Sequence, residues 1–298
     1  MAFWKISHKK ALGCLPLGMP ISYQELSSKL AKKLTELYPE MEAASLVEWL
    51  LEHHLGLRRV DILHFLEEKD LPEALTSDLE RLKTGEPIQY ILGHGPFYGR
   101  EFEVTQDTLI PRNETEELVH LIIKENLGTG KKILDLGTGT GCIPITLALE
   151  MKDAVAYGVD VSKGALEVAK RNAKRLHAAV NFLTCDILTD MPDLSELDIL
   201  VSNPPYVPQK DISEMHRNVV GFEPHLALFV PDDDPLIFYR VIGEKGKQLL
   251  KKGGKIYFEI YEKSSVEICR LLEKQGYDRV TAHKDLNGKD RIISAIWN

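Results

Sequence analysis

From Lys132 to the C-terminus, the sequence alternates between strand-length apolar runs and helix-length amphipathic segments. The predicted elements are strands at 132–136, 155–159, 180–184, 197–202 and 255–260, and helices from about 142, at 165–176, at about 234–251 and at 264–275. This alternation predicts an α/β fold in which a mostly parallel sheet carries helices on both faces. Two final strands, near 278–283 and 291–297, are joined through Asn287-Gly288, which predicts a hairpin and hence one antiparallel strand.

Residues 1–85 show helical periodicity alone and predict a small helical bundle. Ser22 and Glu25 have the spacing of a capping box, and the leucines that follow recur on one helical face: Leu26, Leu30, Leu34 and Leu37. Further helical patterns cover about 40–55, 58–68 and 72–84.

Between Glu86 and Val104 the amino-acid composition changes, because glycines and prolines alternate with aromatic residues. This mixture predicts a linker that contains a β-hairpin. We therefore expect three parts along the chain: a helical domain at 1–85, a hairpin linker at 86–113 and an α/β domain at 114–298.

The composition is that of a globular protein and argues against several kinds of partner. The net charge is −8, and residues 1–85 carry 11 basic and 13 acidic side chains, so neither part has the basic excess typical of nucleic-acid binding. No apolar run is long enough to cross a bilayer. The four cysteines include no Cys-x-x-Cys pair, and His53-His54 lacks the spacing of zinc ligands. We expect a cytoplasmic protein without a metal site, a membrane anchor or direct contact with nucleic acid.

The strand predicted at 197–202 runs into Asn203-Pro204-Pro205-Tyr206. Proline has no N–H to offer a sheet, so the chain must leave the sheet here and its carbonyls become free to accept hydrogen bonds. Asn203 adds a side-chain carbonyl, and Tyr206 adds a flat aromatic face. The turn can therefore receive a planar –NH2 group, although a simple turn capped by Asn203 is an equally good interpretation of these four residues alone.

A second loop follows the strand at 132–136 and consists of five residues: Gly137, Thr138, Gly139, Thr140 and Gly141. Glycines between a strand and a helix allow the backbone to approach a ligand closely. A dinucleotide fingerprint would have glycine or alanine at position 142, where this chain has Cys142. A ligand without a pyrophosphate, such as S-adenosylmethionine, therefore suits the loop better than NAD.

Acids stand at the ends of the next two strands. Asp160 follows Gly137 by 23 positions and can accept hydrogen bonds from ribose hydroxyls. Asp186, or its neighbour Ile187, can lie against the edge of an adenine ring, and capping a helix is nearly as good a role for Asp186. These positions strengthen the prediction of an adenosine-containing ligand.

The segment from Ile110 to Glu117 is predicted to open a helix. Asn113 can cap it, and Glu116 lies at its third position, where acids favour the positive end of the helix dipole. The three acids of this segment, Glu114, Glu116 and Glu117, together with Arg112, can instead line a pocket.

With these residues in view, the chain resembles the class I S-adenosylmethionine-dependent methyltransferases, whose sheet is Rossmann-like. More narrowly, it resembles the family of bacterial protein-(glutamine-N5) methyltransferases that modify peptide chain release factors. The resemblance extends from about residue 85 to the C-terminus and is carried by residues 86–93, 109–116, 137–141, 203–206, 223–224 and 290–291.

The resemblance implies methyl transfer from S-adenosylmethionine to the amide nitrogen of the glutamine in the Gly-Gly-Gln loop of a release factor. Asn203 and Pro204 would orient that amide, and Tyr206 would stack on it. The glycine loop, Asp160, Asp186, Ile187 and Asn203 would hold the cofactor. Residues 1–85 would dock the release factor.

Two alternatives stay open on the sequence. The first is a methyltransferase that acts on the exocyclic amino group of a DNA or RNA base, which would require a flipped base and a basic groove. The second is a cofactor-binding protein without catalysis. The acidic balance argues against the first, and the intact turn at 203–206 argues against the second.

Overall fold

The computed structural model describes residues 21–58, 60, 65–66 and 71–298. This part of the chain divides into two compact units between Gly85 and Glu86. The hairpin predicted as a linker belongs to the second unit. Within the described residues, no helix is both long and apolar enough to cross a membrane, and no three His, Cys, Asp or Glu side chains gather as a possible metal site.

The described part of the first unit is mainly helical. Its elements are strand β1 (Ile21–Ser22), helices α1 (Tyr23–Lys32) and α2 (Glu40–Leu55), strand β2 (Phe65–Leu66) and helix α3 (Glu73–Lys83). Helix α2 packs against both α1 and α3. The capping box is confirmed, because Ser22 Oγ accepts from Glu25 N while the Glu25 carboxylate accepts from Ser22 N.

Two predictions for this unit are wrong in part. Helix α1 ends at Lys32, so Leu37 does not continue its buried face and is 42% exposed. The helix predicted over 58–68 is contradicted at Phe65–Leu66, whose backbone pairs with Ile21–Ser22 in an antiparallel arrangement. Most of the other positions of that prediction lie outside the described residues.

The second unit begins with a short helix and a hairpin before the sheet. These are α4 (Ile88–Leu92), β3 (His94–Phe97) and β4 (Arg100–Glu103), followed by helix α5 (Asn113–Glu125). The hairpin is as predicted, whereas α4 was not. Phe97 and Phe102 are fully buried with their rings edge to face, 5.8 Å between centroids, in the core beneath α5.

The capping prediction at the start of α5 is also wrong. Arg112 holds the N-cap position and Asn113 is the first helical residue, and within the described chain no side chain caps the helix. The Glu116 carboxylate instead accepts a hydrogen bond from Tyr98 N, at 2.8 Å, and so ties the helix to the hairpin.

The remaining elements build an α/β layer structure. They are β5 (Lys132–Leu136), α6 (Cys142–Glu150), β6 (Val155–Asp160), α7 (Lys163–Arg175), β7 (Val180–Thr184), β8 (Leu197–Ser202), β9 (Val207–Pro208), α8 (Arg217–Phe222), β10 (Phe229–Val230), α9 (Ile237–Leu249), β11 (Leu250–Glu259), α10 (Ser265–Lys274), β12 (Asp278–Lys284) and β13 (Asp290–Trp297). Short 3₁₀ segments lie at Gln209–Glu214, His225–Ala227 and Glu262–Ser264.

Seven of these strands form one sheet in the order β12-β13-β11-β8-β5-β6-β7. Strand β13 runs antiparallel to both of its neighbours, and the other pairings are parallel. The prediction of a mixed sheet with one antiparallel strand is therefore confirmed. Strands β9 and β10 form a separate parallel pair.

Both faces of the sheet are covered, as the apolar strands require. Along β8, Leu200 belongs to the core that includes residues of α9 and α10, while Ile199 and Val201 belong to the core that includes residues of α5 and α6. Alternating side chains of a strand point to opposite faces, so this division follows directly from the backbone geometry.

Asn172, on α7, joins the hairpin to the glycine loop. The side chain is fully buried; its Oδ1 accepts from Glu103 N at 2.7 Å, and its Nδ2 donates to the carbonyls of Glu103 and Thr140 at 3.0 Å each. One amide therefore satisfies three backbone groups in a site closed to water.

We expect Asn172→Ala to lower the free energy of unfolding by about 2–4 kcal/mol, because buried backbone groups lose their partners without gaining water. Asn181→Ala is the matched control, since Asn181 is exposed on the edge strand β7 and should change stability by less than about 0.5 kcal/mol. Urea unfolding of the two variants checks this. Equal effects in both would show that Asn172 does not hold the hairpin.

Candidate active site

The carboxyl ends of β5, β6, β8 and β11 meet at one edge of the sheet, because these strands are parallel neighbours. The strand order reverses at β5: the chain proceeds to β6 and β7 on one side and later returns to β8 on the other. Ligands of open α/β sheets bind in the crevice outside such a switch point.

A cavity of about 310 Å³ lies at this position, within the size range of small-molecule sites. Nine of the predicted site residues line it: Gly137, Thr138, Gly139, Thr140, Asp160, Asp186, Ile187, Asn203 and Pro205. Three others, Gly141, Pro204 and Tyr206, are not among the lining residues.

Four N–H groups of the glycine loop donate to acceptors within the protein. Gly137 N and Thr138 N donate to the Val159 carbonyl, Gly141 N donates to the Thr138 carbonyl, and Gly139 N donates to Asp160 Oδ2 at 2.9 Å. A loop that binds pyrophosphate presents such groups to its ligand. The arrangement therefore fits an adenosine ligand without a pyrophosphate.

Gly137 and Gly139 leave room for that ligand. Both have positive φ, +76° and +53°, and a Cβ added to either would meet no atom within 4 Å. Their backbone therefore borders open space. Gly141 has a different reason for being glycine, since a Cβ there would lie 2.9 Å from the Ile145 side chain.

Asp160 ends β6 and is held in place by backbone donors. Its Oδ2 accepts from Gly139 N and its Oδ1 from Ser162 N, each at 2.9 Å. Burial raises the pKa of Asp160, and these N–H donors oppose the rise. Each carboxylate oxygen has a further lone pair, so the side chain can still accept from ribose hydroxyls.

The turn after β7 is held by a lysine. The helix-capping role considered for Asp186 is wrong, because the described chain has a turn and no helix between β7 and β8. Asp186 Oδ1 instead accepts from Leu188 N within that turn, and the residue lines the cavity. Lys245, on α9, donates from Nζ to the carbonyls of Ile187 and Asp190 at 2.6 Å each. This ammonium group tethers the turn that carries Asp186 and Ile187.

The turn after β8 presents two carbonyl oxygens. The Asn203 amide nitrogen donates to Thr115 Oγ1 at 3.2 Å. Among the described residues, no hydrogen bond reaches the Asn203 side-chain oxygen or the Pro204 carbonyl. Asn203 thus lines the cavity with its acceptor available.

Tyr206 lies behind this turn. Its ring is parallel to that of Tyr261, 6.3 Å between centroids, and packs against the core on the α9 face. Burial raises the pKa of the Tyr206 hydroxyl well above its usual value, and Glu259 adds to the rise. The stacking of Tyr206 on a substrate amide stays a prediction.

Two buried residues behind Asn203 were not predicted from the sequence. Thr115 is 3% exposed and donates from Oγ1 to Glu259 Oε2 at 2.6 Å, and Glu259 is 2% exposed. Glu259 ends β11, the strand next to β8. The sequence signal that could have identified Glu259 is an acid near the end of the fifth predicted apolar strand.

A further carboxylate holds two residues that line the cavity. Glu223 is buried and accepts from Ile110 N at 3.3 Å and from the Arg112 guanidinium at 2.5 Å. Ile110, Arg112 and Pro224 line the cavity. The acids of this region that were considered for a pocket, Glu114, Glu116 and Glu117, are not among its lining residues, whereas Thr115 is.

Asp135 lies under the glycine loop and is fully buried. Burial raises its pKa to about 7, against the lowering effect of the Thr138 hydroxyl. Strand β5 therefore places an ionisable group directly beneath the predicted cofactor site.

The fold and this crevice are those of a class I methyltransferase. Residues 114–220 match the family model of the methyltransferase small domain, and residues 25–93 match that of the PrmC N-terminal domain. A crystal structure of a methyltransferase from Pyrococcus furiosus has the same fold, with a TM-score of 0.50 at 17% identity, covering 74% of this chain and 98% of that one.

Sequence relatives narrow the class. The chain is 42% identical to a release factor glutamine methyltransferase from Bacteroides thetaiotaomicron, covering 91% of this chain and 98% of the relative. It is 43% identical to one from Flavobacterium psychrophilum, covering 89% and 96%, and 41% identical to one from Streptococcus pneumoniae, covering 76% and 80%. The chain belongs to the release factor glutamine methyltransferase family, which confirms the resemblance noted in the sequence.

We expect Lys245→Met to weaken the binding of S-adenosylmethionine about 5- to 20-fold, because the turn at Asp186–Asp190 loses two hydrogen bonds from a charged donor. Isothermal titration calorimetry measures the change. Lys247→Met on the same helix is the control, since the described partner of Lys247 is Glu244, one turn away on α9. Unchanged affinity in Lys245→Met would mean that the turn is held adequately by its own backbone.

Proposed function

We propose that this chain transfers a methyl group from S-adenosylmethionine to the side-chain amide nitrogen of the glutamine in the Gly-Gly-Gln loop of peptide chain release factors, in the cytoplasm. The observation that carries the proposal is that Asn203 lines the same cavity as Gly139 and Asp160 and has a free acceptor there. The curated relatives support the substrate, since they are release factor glutamine methyltransferases.

The residues of the cavity fit the cofactor. Asp160 would accept from the ribose hydroxyls, Asp186 and Ile187 would border the adenine, and the open backbone of Gly137 and Gly139 would face the amino-acid end. When bound, S-adenosylmethionine supplies a methyl group that its sulfonium makes electrophilic.

The turn at 203–206, which we call the receptor turn, would bind the substrate. An amide nitrogen is a poor nucleophile, because its lone pair is delocalised into the carbonyl. The Asn203 side-chain oxygen and the Pro204 carbonyl would each accept one N–H of the glutamine, which fixes the amide and favours the positive character that develops on nitrogen. Held in this way, the glutamine nitrogen would take the methyl group as the bond from that group to sulfur breaks, and the proton lost by nitrogen would pass to solvent.

Tyr206 and Pro205 complete the turn in this proposal. Pro205 lines the cavity beside Asn203. The Tyr206 ring packs behind the turn, so it would move toward the cavity to lie against the substrate amide. Catalysis then depends on orientation and hydrogen bonding, and it needs no nucleophilic side chain of the protein.

We expect Asn203→Ala to lower kcat for methylation of a release factor about 10²- to 10³-fold while the Kd of S-adenosylmethionine changes less than about threefold, because the lost acceptor acts on the substrate amide. Transfer of a labelled methyl group and calorimetry measure the two quantities. Asn181→Ala is the control variant, and a release factor whose loop glutamine is replaced by alanine is the control substrate. Equal loss of activity and cofactor affinity would identify Asn203 as a cofactor residue instead.

Residues 1–85 are proposed to dock the release factor, with residues 86–113 as the connection and residues 114–298 as the catalytic domain. The division of the chain after Gly85 supports a separate role for the first unit. The substrate would then be selected by protein–protein contacts away from the reacting amide.

We expect deletion of residues 1–85 to leave cofactor affinity unchanged and to abolish methylation of the intact release factor, since each described residue that lines the cavity belongs to the second unit. A short peptide that contains Gly-Gly-Gln is the comparison substrate, on which both forms should be equally weak. Undiminished activity of the deletion on the intact factor would refute the docking role.

A further inference from the structure

A relay of hydrogen bonds extends from the receptor turn into the protein. Asn203 Nδ2 donates to Thr115 Oγ1 at 3.2 Å, and Thr115 Oγ1 donates to Glu259 Oε2 at 2.6 Å. Thr115 and Glu259 are buried, so water does not compete for these positions. The three residues come from the ends of β8 and β11 and from the first turn of α5.

The direction of the relay follows from the number of protons. An ionised carboxylate can only accept, so Glu259 takes the single hydrogen of the Thr115 hydroxyl. Thr115 Oγ1 then has only lone pairs left for Asn203. An amide can satisfy an acceptor only with its NH2 group, so the nitrogen of Asn203 must face Thr115 and its oxygen must face the other way.

The opposite orientation requires a different proton count. If Glu259 carries a proton, it can donate to Thr115 Oγ1, which frees the Thr115 hydrogen to donate to Asn203. The amide can then turn over, so that its oxygen faces Thr115 and its NH2 group faces the cavity. An NH2 group repels the N–H groups of a glutamine amide instead of binding them.

We propose that Thr115 and Glu259 are positioning residues for methyl transfer, which hold the Asn203 amide with its oxygen toward the substrate. This inference rests on the proposed function, because it assigns the Asn203 oxygen to the glutamine amide. Neither residue needs to touch the substrate for this role.

The environment of Glu259 brings the proton exchange into the physiological range. Burial raises the pKa of Glu259 to about 7, while the Thr115 hydrogen bond and the positive charge of Arg291 oppose the rise. Several titratable or charged groups act electrostatically with Glu259. They are Arg112 in the loop before α5, Glu114 on α5, Cys142 on α6, Tyr239 on α9, Arg291 on β13 and Tyr206 in the receptor turn. The productive form is the ionised one, so kcat should rise with pH through about 7.

The first test compares substitutions of Thr115. Thr115→Val keeps the shape and removes the hydroxyl, so we expect kcat to fall about 10- to 100-fold with little change in cofactor Kd, as for loss of one oriented hydrogen-bonding group. Thr115→Ser keeps the hydroxyl and should restore most of the lost kcat. Thr146→Val is the matched control, because Thr146 is fully buried in α6 and, within the described chain, its hydroxyl has no hydrogen-bond partner.

The second test is the pH profile of kcat at saturating substrates between pH 5.5 and 8.5. The wild-type enzyme should show a midpoint near pH 7, and Glu259→Gln should remove that midpoint, because its side chain does not ionise. The plateau should also fall, because a neutral amide can either accept from Thr115 or donate to it and so no longer holds the relay in one direction. Asp135, whose pKa is also raised to about 7, is unchanged in this variant. A midpoint that persists in Glu259→Gln would therefore assign the titration to another group and overturn the proposal.

The outcomes separate this inference from the proposed function. If the wild-type chain does not methylate a release factor, the proposed function fails and the inference fails with it. If the wild-type chain is active and Thr115→Val matches Thr146→Val in kcat, only the inference fails. Thermal unfolding of each variant shows whether it is folded. If a Thr115 variant is not folded, the pH profiles of the wild-type enzyme and of Glu259→Gln test the inference.

Discussion

The site depends on the parallel pairing of β5 with β8. Leu136 lies opposite Ser202, and Ser202 Oγ also donates to the Leu136 carbonyl at 2.6 Å. The next residues along the two strands are Gly137 and Asn203, so this register brings the first residue of the glycine loop beside the first residue of the receptor turn. A slip of one residue would turn every side chain of β8 to the other face and separate the two loops.

The same edge of the sheet contains two buried acids, Asp135 and Glu259, and burial raises the pKa of each to about 7. A carboxyl whose folded pKa exceeds its unfolded value favours the folded state at low pH and loses that contribution as pH rises through the folded pKa. The ionised form of Glu259 is nevertheless the one that orients Asn203. The site therefore requires a charge that folding disfavours, and the surrounding fold must supply the stability.

Local patterns predicted the sheet well because strands covered on both faces must be apolar throughout, and that requirement is visible in the sequence. The local patterns failed where a contact distant in the sequence determined the backbone conformation. Phe65–Leu66 is a strand because its backbone pairs with Ile21–Ser22. The start of α5 differs from the prediction by one residue, with Arg112 at the N-cap and Asn113 as the first helical residue. Helix α4 is only five residues long, too short for periodicity to reveal.

The sequence by itself determined the glycine loop, the proline turn after β8 and the order of strands and helices along the chain. Each depends on neighbouring residues: glycines that allow positive φ, prolines that end a strand, and apolar runs of strand length. Only the tertiary structure decided which residues act together. Thr115 and Glu259 are 144 positions apart and Asn203 lies between them in the chain, and no local pattern links them. They meet because β8 and β11 are parallel neighbours, so both strands end at the same edge of the sheet, and α5 begins above it.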